Sequence, residues 1–135
     1  MDSLSQDQRR RAMKAVRQKD TKPEMYVRRL CHRAGLRYRL HRKDLPGCPD
    51  LVFPKWNVCL FVNGCFWHQH EGCRRAKRPS TKTVFWEEKL DKNMARDEKN
   101  YEKLHSLGWR IVIIWECEIK KPELLHERIE AIRNC

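Results

Sequence analysis

Cysteine and histidine side chains are concentrated in one short stretch of this 135-residue chain. Residues 64–73 read GCFWHQHEGC and directly follow an apolar run. Thiolate and imidazole are the ligands that Zn²⁺ prefers, and a structural zinc site holds four of them in a tetrahedron. Cys65, Cys73 and one histidine supply three, and Cys117, just past a second apolar run, is well placed to supply the fourth. The pattern predicts a zinc site that fastens the loop to a sheet, with ordinary buried thiols as the alternative.

Spacing alone leaves the choice between His68 and His70 open. Whichever histidine does not bind zinc would be held rigidly beside the metal. Imidazole changes charge near neutral pH and therefore suits a general base. The stretch thus combines a predicted structural metal with a candidate for proton transfer.

Three carboxylates occupy positions that solvation alone does not explain. Asp50 opens an apolar strand, Glu24 faces inward from a helix or closes its capping box, and Asp97 lies on the inward seam of a long helix. Each needs a partner or a cation, because burying a carboxylate alone is costly. Oxygen ligands suit Mg²⁺, which promotes phosphodiester hydrolysis by activating water and stabilising the leaving oxygen. Each has an ordinary explanation alone: Glu24 as a capping residue, Asp50 as a turn residue and Asp97 as the ion-pair partner of an arginine. Together, on a basic chain, the three carboxylates indicate a nuclease.

Positive charge is concentrated in the first two thirds of the chain. The 30 Lys and Arg residues against 18 Asp and Glu give a formal net charge of +12. Residues 1–90 carry 21 basic and 9 acidic side chains, whereas residues 91–135 carry 9 of each. Such charge releases counterions on contact with a phosphate backbone, so nucleic acid is favoured as the partner over the alternative of a merely soluble basic protein.

Aromatic side chains accompany this charge. Phe66 and Trp67 lie inside the predicted ligand loop, and Trp86 begins a long helix after the basic run 74–78. Exposed aromatics among Arg and Lys stack on bases or wedge between them, which kinks the duplex. The spacing of Trp86 fits a place in the helix seam nearly as well.

Apolar spacing and caps predict the elements that position these side chains. The predicted helices cover residues 8–18, Thr21 to the stop at Gly35, Thr83 to about Ser106, and a segment from Pro122. The predicted strands are Tyr38–His41, Leu51–Phe53, Val58–Val62 and Arg110–Trp115. This order predicts one α/β domain over residues 1–135, a mixed sheet flanked by helices, with residues 1–10 as a flexible, polar and basic N-terminus.

The sequence excludes membrane insertion. Its longest apolar runs, near 58–62 and 111–115, are far shorter than the roughly 20 residues that a spanning helix needs. The N-terminal residues contain no secretory signal, so a cytoplasmic location is predicted.

Five segments resemble, as a set, the very-short-patch mismatch repair endonucleases of the Vsr family. They are PGCPD at 46–50, the Cys/His stretch at 64–73, FWEEK at 85–89, KN and RD within 92–97, and 108–117 ending in WEC. The resemblance runs from about Arg11 to Cys117. It implies a restriction-endonuclease-like fold that nicks one DNA strand on the 5′ side of the T in a T:G mismatch. Such mismatches arise from deamination of 5-methylcytosine, so it also implies work beside a cytosine-5 methyltransferase, and a monomer suits the asymmetric substrate.

The same resemblance assigns roles to individual residues. Asp50 matches a catalytic aspartate that binds Mg²⁺ together with the backbone carbonyl of Val62, and His68 matches the general base. Glu24 and Asp97 match carboxylates that support the hydrated metal. The implied zinc ligands are Cys65, His70, Cys73 and Cys117, and the aromatics implied to intercalate beside the mismatch are Phe66, Trp67 and Trp86.

The chain departs from the family pattern in two places. Val62-Asn63 replaces the Thr-His pair that the family often shows, and Glu71-Gly72 makes the zinc loop one residue longer. Glycine absorbs such an insertion because it adopts backbone conformations closed to other residues. Two rival functions stay open: a noncatalytic zinc-dependent DNA-binding module and a general restriction or homing nuclease of the same fold.

Overall fold

The computed structural model describes residues 21–134, in which three helices and four strands form. The helices are α1 (Lys22–Arg33), α2 (Thr83–Ser106) and α3 (Pro122–Arg133). The strands are β1 (Arg39–Leu40), β2 (Leu51–Phe53), β3 (Val58–Asn63) and β4 (Arg110–Trp115), and 3₁₀ turns cover Pro54–Trp56, Arg74–Ala76 and Glu116–Lys120. The predicted helix at 8–18 and the predicted flexible residues 1–10 lie outside the described residues, and the single domain over 1–135 stays a prediction.

The four strands form one mixed sheet in the order β1-β2-β3-β4. β1 pairs antiparallel with β2, placing Leu40 opposite Leu51, and β2 pairs antiparallel with β3. β3 and β4 run parallel, with Asn63 opposite Trp115, because the long connection through α2 carries the chain back between them. The mixed α/β architecture predicted from the element order is confirmed.

Helices cover both faces of the sheet, because alternate strand residues point to opposite sides. On one face α1 and α3 pack against Leu51 and Leu60. On the other face Leu104 of α2 packs against Val52 and Phe61. β4 contains an apolar run, yet most of it is only half-buried, because it forms an edge of the sheet as described. Within residues 21–134, no helix combines the length and the apolar character needed to span a bilayer.

Two local features fix the chain around the site described next. Thr21 Oγ1 accepts a hydrogen bond from the Glu24 N–H at 3.3 Å, so α1 begins at the predicted cap. Gly47 has φ +78°, and a Cβ there would lie 3.2 Å from Cβ of Asn100 and 3.3 Å from Cε1 of Phe61. Glycine therefore lets the turn before β2 lie against α2 and β3 without strain.

Candidate functional site

The four predicted zinc ligands form one cluster, the thiol site. Potential ligand atoms of Cys65, His70, Cys73 and Cys117 all lie within 4.8 Å of one another. Sγ of Cys117 is 3.5 Å from Nδ1 of His70. Three thiols and one imidazole are the donor set of a tetrahedral zinc site, so these residues fit Zn²⁺. His70, not His68, belongs to this cluster, which agrees with the assignment that the resemblance implied.

The register of the parallel strands brings the thiol site together. Because β3 and β4 end side by side, the loops that follow them meet at one end of the sheet. The Trp115 ring stacks on the His70 imidazole with centroids 4.2 Å apart. Gly72, with φ +72°, turns the chain between His70 and Cys73. Glycine adopts this left-handed conformation without the strain that a side chain would bring.

Buried Glu118 stabilises the 3₁₀ turn that contains Cys117. Its Oε1 accepts a hydrogen bond from the Trp115 N–H at 2.8 Å, and its Oε2 accepts one from Nη2 of Arg128 at 3.1 Å. A buried carboxylate with both oxygens paired holds its neighbours rigidly. Sequence reasoning did not single out Glu118, which lies next to a ligand in the chain.

The thiols of this site differ in acidity. Burial raises the pKa of the Cys65 thiol above its ordinary value. Burial acts in the same direction on Cys73, but N–H groups of Arg75 and Ala76 and the neighbouring thiols outweigh it and lower the pKa of Cys73. Because thiolate is the form that binds metal, occupation of the site must release protons and is weakened by acid.

A second cluster, the carboxylate site, joins Glu24, His41 and Asp50. Their potential ligand atoms also lie within 4.8 Å of one another. Oε2 of the buried Glu24 is 3.0 Å from Nε2 of His41 and accepts a hydrogen bond from Arg28. Oδ2 of Asp50 accepts a hydrogen bond from the Val62 N–H at 2.7 Å. The Glu24 N–H thus donates to the cap residue of α1, whereas the Glu24 carboxylate belongs to the carboxylate site.

The β1–β2 hairpin sets the spacing of the carboxylate site. The pairing of Leu40 with Leu51 brings His41 beside Asp50, whose carbonyl accepts the His41 N–H at 3.2 Å. Burial raises the pKa of Asp50 to about 8; the Val62 N–H opposes this rise and the Glu24 carboxylate adds to it. Two carboxylates this close favour a shared proton or a bound cation.

His68 and Asp97 form a pair near the carboxylate site. Nδ1 of His68 lies 2.5 Å from Oδ2 of Asp97. An ionised carboxylate only accepts, so Nδ1 carries the proton and Nε2 of the neutral ring is an acceptor. The partner of Asp97 is therefore a histidine, and the simpler explanation of an ion pair with arginine is wrong.

A half-buried tyrosine lies between the pair and the carboxylate site. The Tyr101 hydroxyl accepts a hydrogen bond from Nδ2 of the buried Asn63 at 3.0 Å. Burial raises the pKa of Tyr101 to about 12; the Asn63 bond opposes the rise, and the charges of Asp97 and Asp50 add to it. Asn63 follows Val62, whose N–H bonds to Asp50, and Tyr101 lies one turn after Asp97 on α2, so the pair and the carboxylate site lie near the same end of β3.

The three predicted intercalating aromatics also form one cluster. The Phe66 ring centroid is 5.3 Å from that of Trp67 and 5.4 Å from that of Trp86. All three are half-buried against one another, not freely exposed as the sequence suggested. Nδ2 of Asn93 donates to the Trp67 carbonyl at 3.2 Å, so Asn93, not the exposed Met94, is the seam residue at this turn of α2.

Sequence reasoning missed two residues of the carboxylate site, His41 and Arg28. The signal for His41 was available: in a hairpin, the residue after the end of one strand lies opposite the residue before the start of the next. Arg28 follows Glu24 by four residues, the spacing of an ion pair on one helix face. Of the cysteines expected outside the metal site, Cys31 and Cys59 are buried, Cys48 is exposed, and Cys135 lies outside the described residues.

Comparison with known proteins identifies the class to which this site belongs. Residues 1–75 match the family described as DNA mismatch endonuclease Vsr. "Type II nicking enzyme V.XorIIP" of Xanthomonas oryzae pv. oryzae is 47% identical over 97% of this chain and 96% of that protein. "DNA mismatch endonuclease Vsr" of Escherichia coli K12 is 39% identical over 90% of this chain and 81% of that protein.

These similarities, over most of each protein, define a nuclease, a hydrolase of phosphodiester bonds. The similarity extends to "Type II nicking enzyme V.NmeAIP" of Neisseria meningitidis, 37% identical over 97% of this chain and 93% of that protein. The chain belongs to the Vsr family of DNA mismatch endonucleases.

Proposed function

We propose that this protein nicks one strand of double-stranded DNA on the 5′ side of the T in a T:G mismatch. The observation that carries the proposal is the His68–Asp97 pair, 2.5 Å apart, near the same end of β3 as the carboxylate site. An oriented base beside a cation site is what hydrolysis of a phosphodiester needs. Relatives named as mismatch endonuclease and nicking enzymes support the substrate and the single-strand cut.

The carboxylate site would hold the catalytic cation, which we propose to be Mg²⁺. Asp50 and Glu24 would both bind it, with water in the remaining positions. The N–H and C=O of one strand residue point to the same side. Since the Val62 N–H bonds to Asp50, the Val62 carbonyl faces the same end of the site. A cation bound there supplies a Lewis acid for the leaving oxygen and makes coordinated water easier to deprotonate.

His68 would act as the general base. Nδ1–H donates to Asp97, so Nε2 is the atom that takes the proton from the attacking water. Asp97 keeps the ring in this tautomer and stabilises the charged ring once the proton has arrived. Asp97 is thus a positioning residue, whereas the family resemblance implied a role for it at the hydrated metal.

The thiol site would bind a structural Zn²⁺ through Cys65, His70, Cys73 and Cys117. His68 lies in the chain between two of these ligands, so fixing the loop fixes the base. The aromatic cluster follows Cys65 directly. Zinc therefore holds both the base and the proposed wedge, without taking part in bond cleavage.

Phe66, Trp67 and Trp86 would enter the base stack beside the mismatch. Inserting side chains between base pairs costs the least free energy at a mismatched pair. Selectivity for the mismatch therefore begins with the ease of unstacking the DNA there. The cluster lies among cations: Nζ of Lys89 is 6.0 Å from the Trp67 ring, and exposed Arg74 and Lys77 follow the thiol site. These side chains would hold phosphates of the bound DNA.

The setting of the activity is part of the proposal. The sheet and helices support a restriction-endonuclease-like fold, and the protein works as a cytoplasmic monomer. Since T:G pairs arise from deaminated 5-methylcytosine, it serves DNA modified by a cytosine-5 methyltransferase. Repair of the nick then requires enzymes that resynthesise and seal the strand.

Nicking of a panel of labelled duplexes tests the proposal. We expect a single cut 5′ of the T in T:G duplexes, only with a divalent cation, and little cutting of matched T:A or C:G controls. Equal cutting of matched duplexes would identify a general nuclease instead. Binding without any cutting, at all divalent cations tried, would identify a DNA-binding module.

A further inference from the structure

His41 adds a nitrogen to a site otherwise built from oxygen atoms. We propose that Nε2 of His41 is a ligand of the catalytic cation, and that the site therefore binds Mn²⁺ more tightly than Mg²⁺. The inference rests on the proposed function in one respect, that the carboxylate site is the cation site. It adds a residue and a metal preference to that function.

The geometry of the three side chains supports a shared ion. Nε2 of His41 is 3.0 Å from Oε2 of Glu24. Adjacent ligands of an octahedral ion with bonds of about 2.1 Å lie about 3 Å apart, so the two atoms already have the spacing of neighbouring ligands. Asp50 completes the group within 4.8 Å. A small shift of these side chains closes the site around one ion.

The backbone at His41 shows that this side chain is held in place. His41 has φ +45°, a left-handed conformation that is uncommon for residues other than glycine. The hydrogen bond from its N–H to the Asp50 carbonyl, 3.2 Å long, supports that conformation. Only 16% of the side chain is exposed. Strained residues held this firmly are concentrated at functional sites, which agrees with a role for the ring.

The charge of the site explains why the nitrogen matters. Arg28 donates to the same Glu24 oxygen and has Nη2 3.4 Å from Nε2 of His41. A dication must compete with this guanidinium for Glu24. Mg²⁺ dehydrates reluctantly and prefers oxygen, whereas imidazole suits transition metals. Mn²⁺ accepts both kinds of donor, so it gains more from His41 than Mg²⁺ does.

Competition between the two metals tests the inference without measuring cleavage. Zinc-loaded protein is titrated with Mn²⁺, free Mn²⁺ is followed by electron paramagnetic resonance, and Mg²⁺ is added as the competitor. We expect wild-type protein to bind Mn²⁺ at least about tenfold more tightly than Mg²⁺, and H41Q to weaken Mn²⁺ binding by about 10–100-fold with a smaller effect on Mg²⁺. H105Q, which changes an exposed histidine of α2, should match wild type.

A second variant separates ligand loss from misfolding. H41E offers an oxygen in place of the nitrogen, so we expect it to retain Mg²⁺ binding and to lose the preference for Mn²⁺. An unchanged Mn²⁺-to-Mg²⁺ ratio in either variant that retains its zinc overturns the inference. T:G nicking by the wild type is scored separately, so an enzyme that nicks but shows no effect of His41 refutes only this inference.

Discussion

The thiol site and the carboxylate site lie at the same end of the sheet and have the same spacing, yet they differ in donors. Both gather their potential ligand atoms within 4.8 Å. The thiol site has four donors, three of them sulfur, and so would close a tetrahedron around Zn²⁺. The carboxylate site has two carboxylates and one imidazole, which leave positions for water and a phosphate oxygen. Donor number and type, more than spacing, distinguish a metal that holds the fold from one that performs chemistry.

Removal of a thiol should give the largest effect, because it breaks the fold. We expect Cys117→Ser to lose zinc and to lower the free energy of unfolding by more than about 4 kcal/mol. Cys48→Ser is the control, since Cys48 is exposed and outside the cluster. Zinc content and chemical denaturation are the measurements. Full zinc occupancy in the Cys117 variant would contradict the proposed ligand set.

Loss of the carboxylate at position 50 should remove cleavage but leave the fold. Metal stabilisation of the leaving oxygen is worth several kcal/mol, so we expect Asp50→Asn to slow nicking by at least about a thousandfold. Zinc content and binding of T:G duplex should persist. Asp44→Asn is the control, because Asp44 is exposed and pairs with Arg42. Cleavage at the wild-type rate by Asp50→Asn would show that other residues bind the catalytic cation.

Loss of the Asp97 carboxylate should have a smaller effect, through the orientation of His68. We expect Asp97→Asn to lower kcat by about 10²–10⁴, the usual worth of general base catalysis, with little change in KM. Its pH–rate profile should lose the limb that belongs to the base. Asp91→Asn on the same helix, where the exposed Asp91 pairs with Arg78, is the control. A fall in both variants alike would mean that general charge on α2, not the histidine pair, matters.

The smallest expected effect is a gain in stability when Asp50 is replaced by asparagine. The pKa of Asp50 is raised to about 8 in the folded protein, above its ordinary value of 3.8, so its protonated form stabilises the fold at low pH. This stabilisation is complete below pH 3.8, the ordinary pKa of the group, and it is lost as the pH rises through about 8. In zinc-loaded, Mg²⁺-free buffer, Asp50→Asn should therefore raise Tm by a few degrees at pH 8.5 and much less at pH 5. Equal shifts at both values, measured by calorimetry, would argue against a buried, titrating Asp50.

The sequence predicted the thiol site better than the carboxylate site, for a physical reason. Cys65, His70 and Cys73 are close in the chain, and their residue types are uncommon enough to signal a metal. Asp50 and Glu24 were also found, because carboxylates on apolar positions need partners. His41 was missed because its partner is set by hairpin register, and a single histidine indicates a site only once that register is used to pair it with Asp50.

The partners of side chains were harder to predict than the elements. Caps and apolar spacing gave the bounds of α2 and β4 as the structure has them. Asn93 and Met94 both fit the helical period of the inward face of α2. The contact with the Trp67 carbonyl shows that Asn93 occupies it. Likewise, only the meeting of α2 with the loop after β3 shows that Asp97 pairs with His68.

The position of His68 between Cys65 and His70 has a consequence for how such an enzyme matures. A chain that has not yet taken up its metal would present neither the base nor the neighbouring rings in working order. Newly made protein would therefore be harmless to the chromosome until fully assembled, and its activity in a cell would follow the supply of zinc. For an enzyme that breaks genomic strands, assembly itself would then act as a safeguard.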